Sequence, residues 1–182
     1  MTNRREEGAG LDALWHGLSG HPIHPPLTDV TVGAYTFALV AATADVLGVS
    51  TNAATHAWWL ALVFGLLSTL VTATTGFVDW LRIPTGTPVW RTATAHMIAM
   101  LLASGVFLAA AVGGKESFDA GNVETGPYVL TIAAFLLLTV GGWLGGSVVF
   151  VHGMRVLNLV DEPARRAAAP VATPEKREAE GA

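Results

Sequence analysis

The sequence has no cysteine and little charge. Without cysteine among its 182 residues, the chain can form no disulfide, no thiolate zinc site, no cysteine-ligated iron–sulfur cluster and no covalently attached haem. Charged residues make up 13% of the chain, against roughly 25% in an average soluble protein. The basic residues form no dense cluster, so we expect no nucleic-acid partner. A Gly-x-Ser-x-Gly elbow, a Walker loop and a His-Glu-x-x-His helix are also missing, and we therefore predict no catalytic activity of the chain on its own.

Long segments of the chain carry no charge at all. No Lys, Arg, Asp or Glu occurs between Asp45 and Asp79, from residue 92 to 114, or from residue 125 to 154. About 20 apolar residues span a bilayer core as a helix, whereas the helices of a soluble bundle keep a polar stripe. We therefore predict an all-α integral membrane protein whose domain, residues 21–158, is an antiparallel four-helix bundle. The predicted spans are residues 29–48, 55–78, 92–112 and 127–151.

The basic residues lie almost entirely on one side of these spans. Nine of the ten Lys and Arg residues precede the first span, separate the second from the third, or follow the fourth, and Lys115 is the exception. The positive-inside rule then places both termini in the cytoplasm. We expect the membrane to be the cell's inner (plasma) membrane. Residues 1–20 form a polar segment with a short apolar pattern typical of an interfacial helix. Residues 159–182 have the composition of a disordered tail.

Histidine is concentrated on the same predicted side. Five of the six histidines lie there, and His56 is at the opposite end. Each span also carries one ionisable residue near its cytoplasmic end, and His21 and His24 lie just before the first span in a proline-rich stretch that we expect to be extended or turning. The candidate ligands are His21, His24, Asp29, Asp79, His96 and His152.

Imidazoles and carboxylates at one membrane depth fit two kinds of cofactor. Two or three of these imidazoles with one or two of the carboxylates would suit one transition metal ion, namely iron, zinc or manganese, depending on the geometry. Haem b would instead need two facing imidazoles, most simply His96 and His152, with His21 or His24 as the alternative. In the simplest interpretation, the side chains only snorkel and pair with nearby arginines. Proton- or ion-coupled transport and a structural role in a larger membrane complex are the other functions left open.

Glycines are frequent in the fourth span. Gly141 and Gly145 fall on one helix face, which predicts close helix packing, either within the chain or in a homo-oligomer. The same face would carry His152 into the helix contact. Residues 78–82 and 151–155 also resemble each other, as two tandem hairpins would require, but chance explains so short a match more simply.

Three motifs, read in order, resemble a known family. They are Gly20-His21-Pro22-Ile23-His24-Pro25-Pro26-Leu27, Gly76-Phe77-Val78-Asp79-Trp80 and Ala95-His96, and the chain is similar over residues 18–158 to small bacterial membrane proteins catalogued as a domain of unknown function. Some relatives are fused to a Rieske-type iron–sulfur domain, so the resemblance implies membrane electron transfer or metal handling. This chain has no cysteine, and a redox role would need a partner protein or another cofactor. The family motif residues carry over as His21, His24, Asp79 and His96, whereas a role for His152 rests on its position alone.

Overall fold

The computed structural model describes residues 23–154, which form five helices and no strand. The helices are α1 (His24–Val46), α2 (Thr51–Leu81), α3 (Pro88–Gly113), α4 (Lys115–Ala120) and α5 (Thr125–Phe150). All of them except the short α4 are long and apolar enough to cross a membrane. The predicted all-α, four-helix membrane bundle is confirmed.

Each predicted span falls on one long helix, but α1 begins earlier than expected. It starts at His24, with Pro25 and Pro26 in its first turn. Proline is tolerated there because the first N–H groups of a helix have no partner within the helix. The extended path predicted for these two prolines is therefore wrong. The predicted interfacial helix within residues 1–20, His21 and the predicted tail all lie outside the described residues.

The long helices pack as two hairpins. Helix α1 pairs closely with α2, and α3 pairs closely with α5. In the middle of the bundle, the buried rings of Tyr35 from α1 and Phe107 from α3 stack with their centroids 3.8 Å apart and their planes 3° from parallel. Buried Trp58 donates a hydrogen bond from Nε1 to Thr131 Oγ1 at 3.1 Å and so ties α2 to α5. The two hairpins therefore meet across a tightly packed central layer.

The outer surface of the bundle is apolar. Large side chains such as Phe37, Leu67, Leu136 and Trp143 are more than half exposed along all four long helices. A soluble protein rarely exposes so continuous an apolar surface, whereas a lipid-facing surface requires one. The exposed side chains therefore indicate contact with the lipid bilayer.

A buried carboxylate joins three segments at the end of the bundle remote from His24. Asp45 Oδ1 accepts a hydrogen bond from Thr55 Oγ1 at 2.7 Å, and its Oδ2 accepts one from the backbone N–H of Val123 at 2.7 Å. Asp45 is buried. Its side chain thus connects the end of α1, the start of α2 and the segment that leads into α5.

We expect Asp45→Ala to lower the free energy of unfolding by about 1–3 kcal/mol, because the buried N–H of Val123 would lose its acceptor. Thermal unfolding in detergent, followed by circular dichroism, measures the loss. Asp29→Ala, at an exposed position of the same helix, is the matched control and should leave the melting temperature unchanged. Equal melting temperatures for the two variants would contradict a structural role for Asp45.

Candidate functional site

A cavity of about 580 Å³ lies between the two hairpins at the end of the bundle where α1 and α3 begin. We call it the inter-hairpin cavity. All four long helices contribute to its walls, and most of the walls are apolar. Two of its lining residues, His24 from α1 and His96 from α3, are candidate ligands from the sequence, and they come from different hairpins.

The imidazole of His24 is held against α2. Its Nδ1 lies 3.0 Å from the carbonyl oxygen of Thr72 and 3.3 Å from Thr75 Oγ1. The ring fits there because Gly76 has no side chain: a Cβ at Gly76 would lie only 2.6 Å from Cε1 of His24. The glycine of the Gly-x-x-Asp-Trp motif thus leaves the space that is occupied by the second histidine of the His-Pro-x-His-Pro motif.

The imidazole of His96 is held against α5 in the same way. Its Nδ1 lies 2.7 Å from the carbonyl oxygen of Gly141. A Cβ at Gly145 would lie 2.9 Å from Cε1 of His96 and 3.1 Å from Nδ1. Here too, a glycine leaves the space that the ring occupies.

The two histidines occupy equivalent positions in the two hairpins. In each hairpin the acceptor carbonyl lies four residues before the glycine that seats the ring, at Thr72 and Gly76 or at Gly141 and Gly145. The stacked rings of Tyr35 and Phe107 each lie eleven residues after the histidine of their own hairpin. The structure thus relates the hairpins by an internal correspondence. The sequence similarity between residues 78–82 and 151–155 pairs Asp79 with His152. The structural correspondence instead pairs Asp79 with Val148, one helical turn earlier.

The hydrogen bonds determine which nitrogen of each ring carries the proton. A carbonyl oxygen can only accept, so Nδ1 of each histidine carries the proton and donates it. In the neutral imidazole the lone pair is then on Nε2, so any metal ligation would use that nitrogen. An Nδ1–H held by a backbone carbonyl is also the usual outer contact of a metal-ligating histidine. Both rings could therefore ligate a metal through Nε2.

The rest of the cavity wall is apolar, with a few polar groups. Asp79 lines it, as does Trp80, whose Nε1 donates to Thr94 Oγ1 at 2.8 Å. Met97 and Met100 also line the cavity. Thr31 and Thr72 bond each other across α1 and α2, with 3.0 Å between their hydroxyl oxygens.

Other predicted ligands do not meet at the cavity. Asp29 is exposed and is not part of its wall. His152 lies beyond the end of α5, where its Nε2 is 2.9 Å from Thr92 Oγ1, and it does not line the cavity either. Within residues 23–154 no three His, Asp or Glu side chains are close enough to hold a metal ion together. His21 lies outside the described part of the chain.

The face of α5 that carries Gly141 and Gly145 packs inside the protein. Positions 141 and 145 face Met100 and His96 of α3, whereas a Cβ at Gly142 would meet nothing within 4 Å. The close helix packing predicted from these glycines is thus used within the chain, and the Gly141/Gly145 face is not available to a second copy.

No curated protein and no solved structure matches the chain. One family model, described as predicted membrane protein (DUF2231), matches residues 20–158, which is well over half of the chain. This range contains all four membrane helices and both cavity histidines. The chain therefore belongs to this family of membrane proteins of unknown function.

Proposed function

We propose that the protein is a membrane haem b protein with a redox-linked, electron-transfer role, in which His24 and His96 would hold the haem iron. One observation carries the proposal: the two hairpins present one histidine each to the same cavity, and each ring is oriented through Nδ1 by a backbone carbonyl. When bound, haem would supply the one-electron chemistry that none of the side chains around the cavity provides.

The number of protein ligands favours haem over a mononuclear metal ion. The macrocycle supplies four of the six ligands of the iron, so two imidazoles complete the set. Zinc, iron or manganese bound by side chains needs three or more protein ligands, and residues 23–154 bring no such group together. A metal site completed by His21 remains the second candidate, and elemental analysis distinguishes the two.

The size and the walls of the cavity also fit a cofactor. Cofactor pockets have volumes of roughly 300–1,000 Å³ and mostly apolar walls with a few placed polar groups. The inter-hairpin cavity, at about 580 Å³, meets both conditions. Apolar walls exclude water and so adjust the reduction potential of a bound iron.

The central layer of the bundle favours a binding site over a transport path. The cavity wall includes Thr69, whose Oγ1 lies 2.9 Å from the hydroxyl oxygen of Tyr35, and the buried ring of Tyr35 stacks on Phe107. The rest of the buried core consists mainly of alanines together with Trp58, Leu62 and Leu138. A transport protein needs a route that continues to the other side of the membrane. A structural subunit of a larger complex, in turn, has no need of two histidines with matched geometry.

The positive-inside rule places this cavity on the cytoplasmic side of the plasma membrane. Arg82 and Arg91 lie at the same end of the bundle as the cavity. A redox partner would thus reach the site from the cytoplasm or from the cytoplasmic leaflet of the membrane.

The experiment that tests the function is an absorption spectrum of the protein purified in detergent from cells supplied with a haem precursor. We expect a Soret band, a low-spin spectrum typical of two imidazole ligands, reversible reduction by dithionite, and one haem per chain. A colourless protein with a stoichiometric transition metal would replace haem with the mononuclear site. A colourless, metal-free protein would contradict the proposal and favour a transport or structural role.

A further inference from the structure

Helices α2 and α3 belong to different hairpins and are joined by hydrogen bonds at two distant points. Near one end, Trp80 Nε1 donates to Thr94 Oγ1 at 2.8 Å, and near the other, Trp59 Nε1 donates to the carbonyl oxygen of Ala111 at 2.9 Å. These hydrogen bonds join the two helices at points 21 residues apart on α2, a distance of roughly 30 Å. Between them, the wall of the inter-hairpin cavity includes residues that also reach the outer surface.

Several residues of α2 and α3 that line the cavity are also exposed. Ala73 and Phe77 of α2 and Leu101 of α3 line the cavity and are at the same time exposed, Phe77 by 49% and Leu101 by 56%. By contrast, Thr31 of α1 and Thr72 of α2, which line the cavity where these two helices pack together, are buried. The cavity therefore opens sideways between α2 and α3, through a window bordered by Ala73, Phe77 and Leu101.

The depth of the window places it among the acyl chains. Ala73 lies eight residues before the end of α2, about 12 Å along the helix, and Leu101 lies thirteen residues after the start of α3, about 20 Å along it. The hydrocarbon core of a bilayer is about 30 Å thick, so helices of this length carry both positions within it. A molecule that passes the window comes from the lipid phase and not from water.

We propose that haem enters the site from the lipid bilayer through this window. The inference rests on the proposed function, because it takes haem as the ligand of His24 and His96. Haem partitions into membranes, since the greater part of its macrocycle is apolar and its propionates are confined to one edge. The window offers apolar side chains along its border, and His96 lies on the cavity wall one helical turn or so from Leu101. The apolar edge of the macrocycle would enter first, and the propionates would stay toward the aqueous end.

A rate measurement tests the entry route. Haem-free protein in liposomes is mixed with donor vesicles that contain haemin, and the growth of the Soret band is followed to its plateau. Leu101→Trp places a bulky ring across the window and is expected to slow loading by about fivefold or more. Leu102→Trp is the matched control, because Leu102 is also 56% exposed on the same helix but does not line the cavity. It should load at the rate of the unmodified protein.

The outcomes separate the two proposals. If no Soret band forms in the unmodified protein, the proposed function fails. If the band forms but Leu101→Trp and Leu102→Trp load at equal rates, haem binding stands and the window is overturned as the entry route.

A second measurement tests the window without haem. Because the chain has no cysteine, a spin label on Leu101→Cys is the only label in the protein. Molecular oxygen, which concentrates in acyl chains, is expected to relax this label more strongly than a water-soluble nickel chelate. Stronger relaxation by the nickel chelate would show that the position faces water and would overturn the proposal.

Discussion

A His96→Ala variant is expected to bind haem at least about tenfold more weakly than the unmodified protein, a loss of about 1.4 kcal/mol or more. Loss of an outer-sphere partner of a metal ligand alone costs roughly 10- to 100-fold, and this variant loses the ligand itself. The remaining iron should be five-coordinate and high-spin. Haem titration followed by absorption, together with electron paramagnetic resonance, measures both effects. His24→Ala is expected to behave in the same way, because the two residues occupy equivalent positions.

His152→Ala is the control for these variants. Its ring hydrogen-bonds Thr92 outside the cavity wall, so haem affinity and spin state should not change. Free imidazole added to His96→Ala should restore the low-spin spectrum if the cavity is intact, which separates loss of a ligand from loss of the fold. Unchanged affinity in His96→Ala, or a larger effect in His152→Ala, would contradict the assignment of His24 and His96 as the ligands.

The architecture could be predicted from the sequence because the lipid environment strongly restricts the composition of a helix. A helix in the bilayer excludes charge over some 20 residues, and the gaps between charged residues mark the four long helices. The position of His24 and His96 near the same end follows from the same reasoning. What composition does not determine is the direction in which each side chain points.

Asp29 and His152 illustrate that limit. Successive residues of a helix are rotated by about 100°, so Asp29, five residues after His24, lies roughly 140° away from it around α1. Thr28 and Thr31, four and seven residues after His24, share its face and line the cavity. For His152, helical steps were extended from Gly145, but α5 ends at Phe150 and the chain turns before that residue. The periodicity therefore does not apply to it.

The contacts of Gly76 with His24 and of Gly145 with His96 could not be predicted from the sequence. Gly76 is one of 20 glycines, and its role depends on α1 packing against α2 at one register. That register follows from contacts between residues about 50 positions apart, such as His24 with Thr72. Likewise, Gly145 was recognised as a packing residue, but its contact with His96 depends on how α3 and α5 pair.

Substitution of the glycines beside the two rings is expected to reduce haem affinity strongly, although both histidines stay in place. Gly76→Ala is expected to lower haem affinity by about 10- to 100-fold, because the new methyl group would lie 2.6 Å from Cε1 of His24 and would push the ring off the Thr72 carbonyl. Gly145→Ala should have the smaller effect of the two, since the corresponding distance to His96 is 2.9 Å. Haem titration of the purified variants measures the order.

Gly142→Ala provides the matched control, three residues from Gly145 on the same helix and with nothing within 4 Å of the added Cβ. Each of these substitutions raises helix propensity by roughly 1 kcal/mol, so none is expected to destabilise α2 or α5 through the backbone. A fall in haem affinity confined to Gly76→Ala and Gly145→Ala, with helical content and melting temperature maintained, can only come from displaced rings. If all three variants bound haem equally well, the imidazoles would not be held where the cofactor needs them, and the cavity would have to serve another ligand.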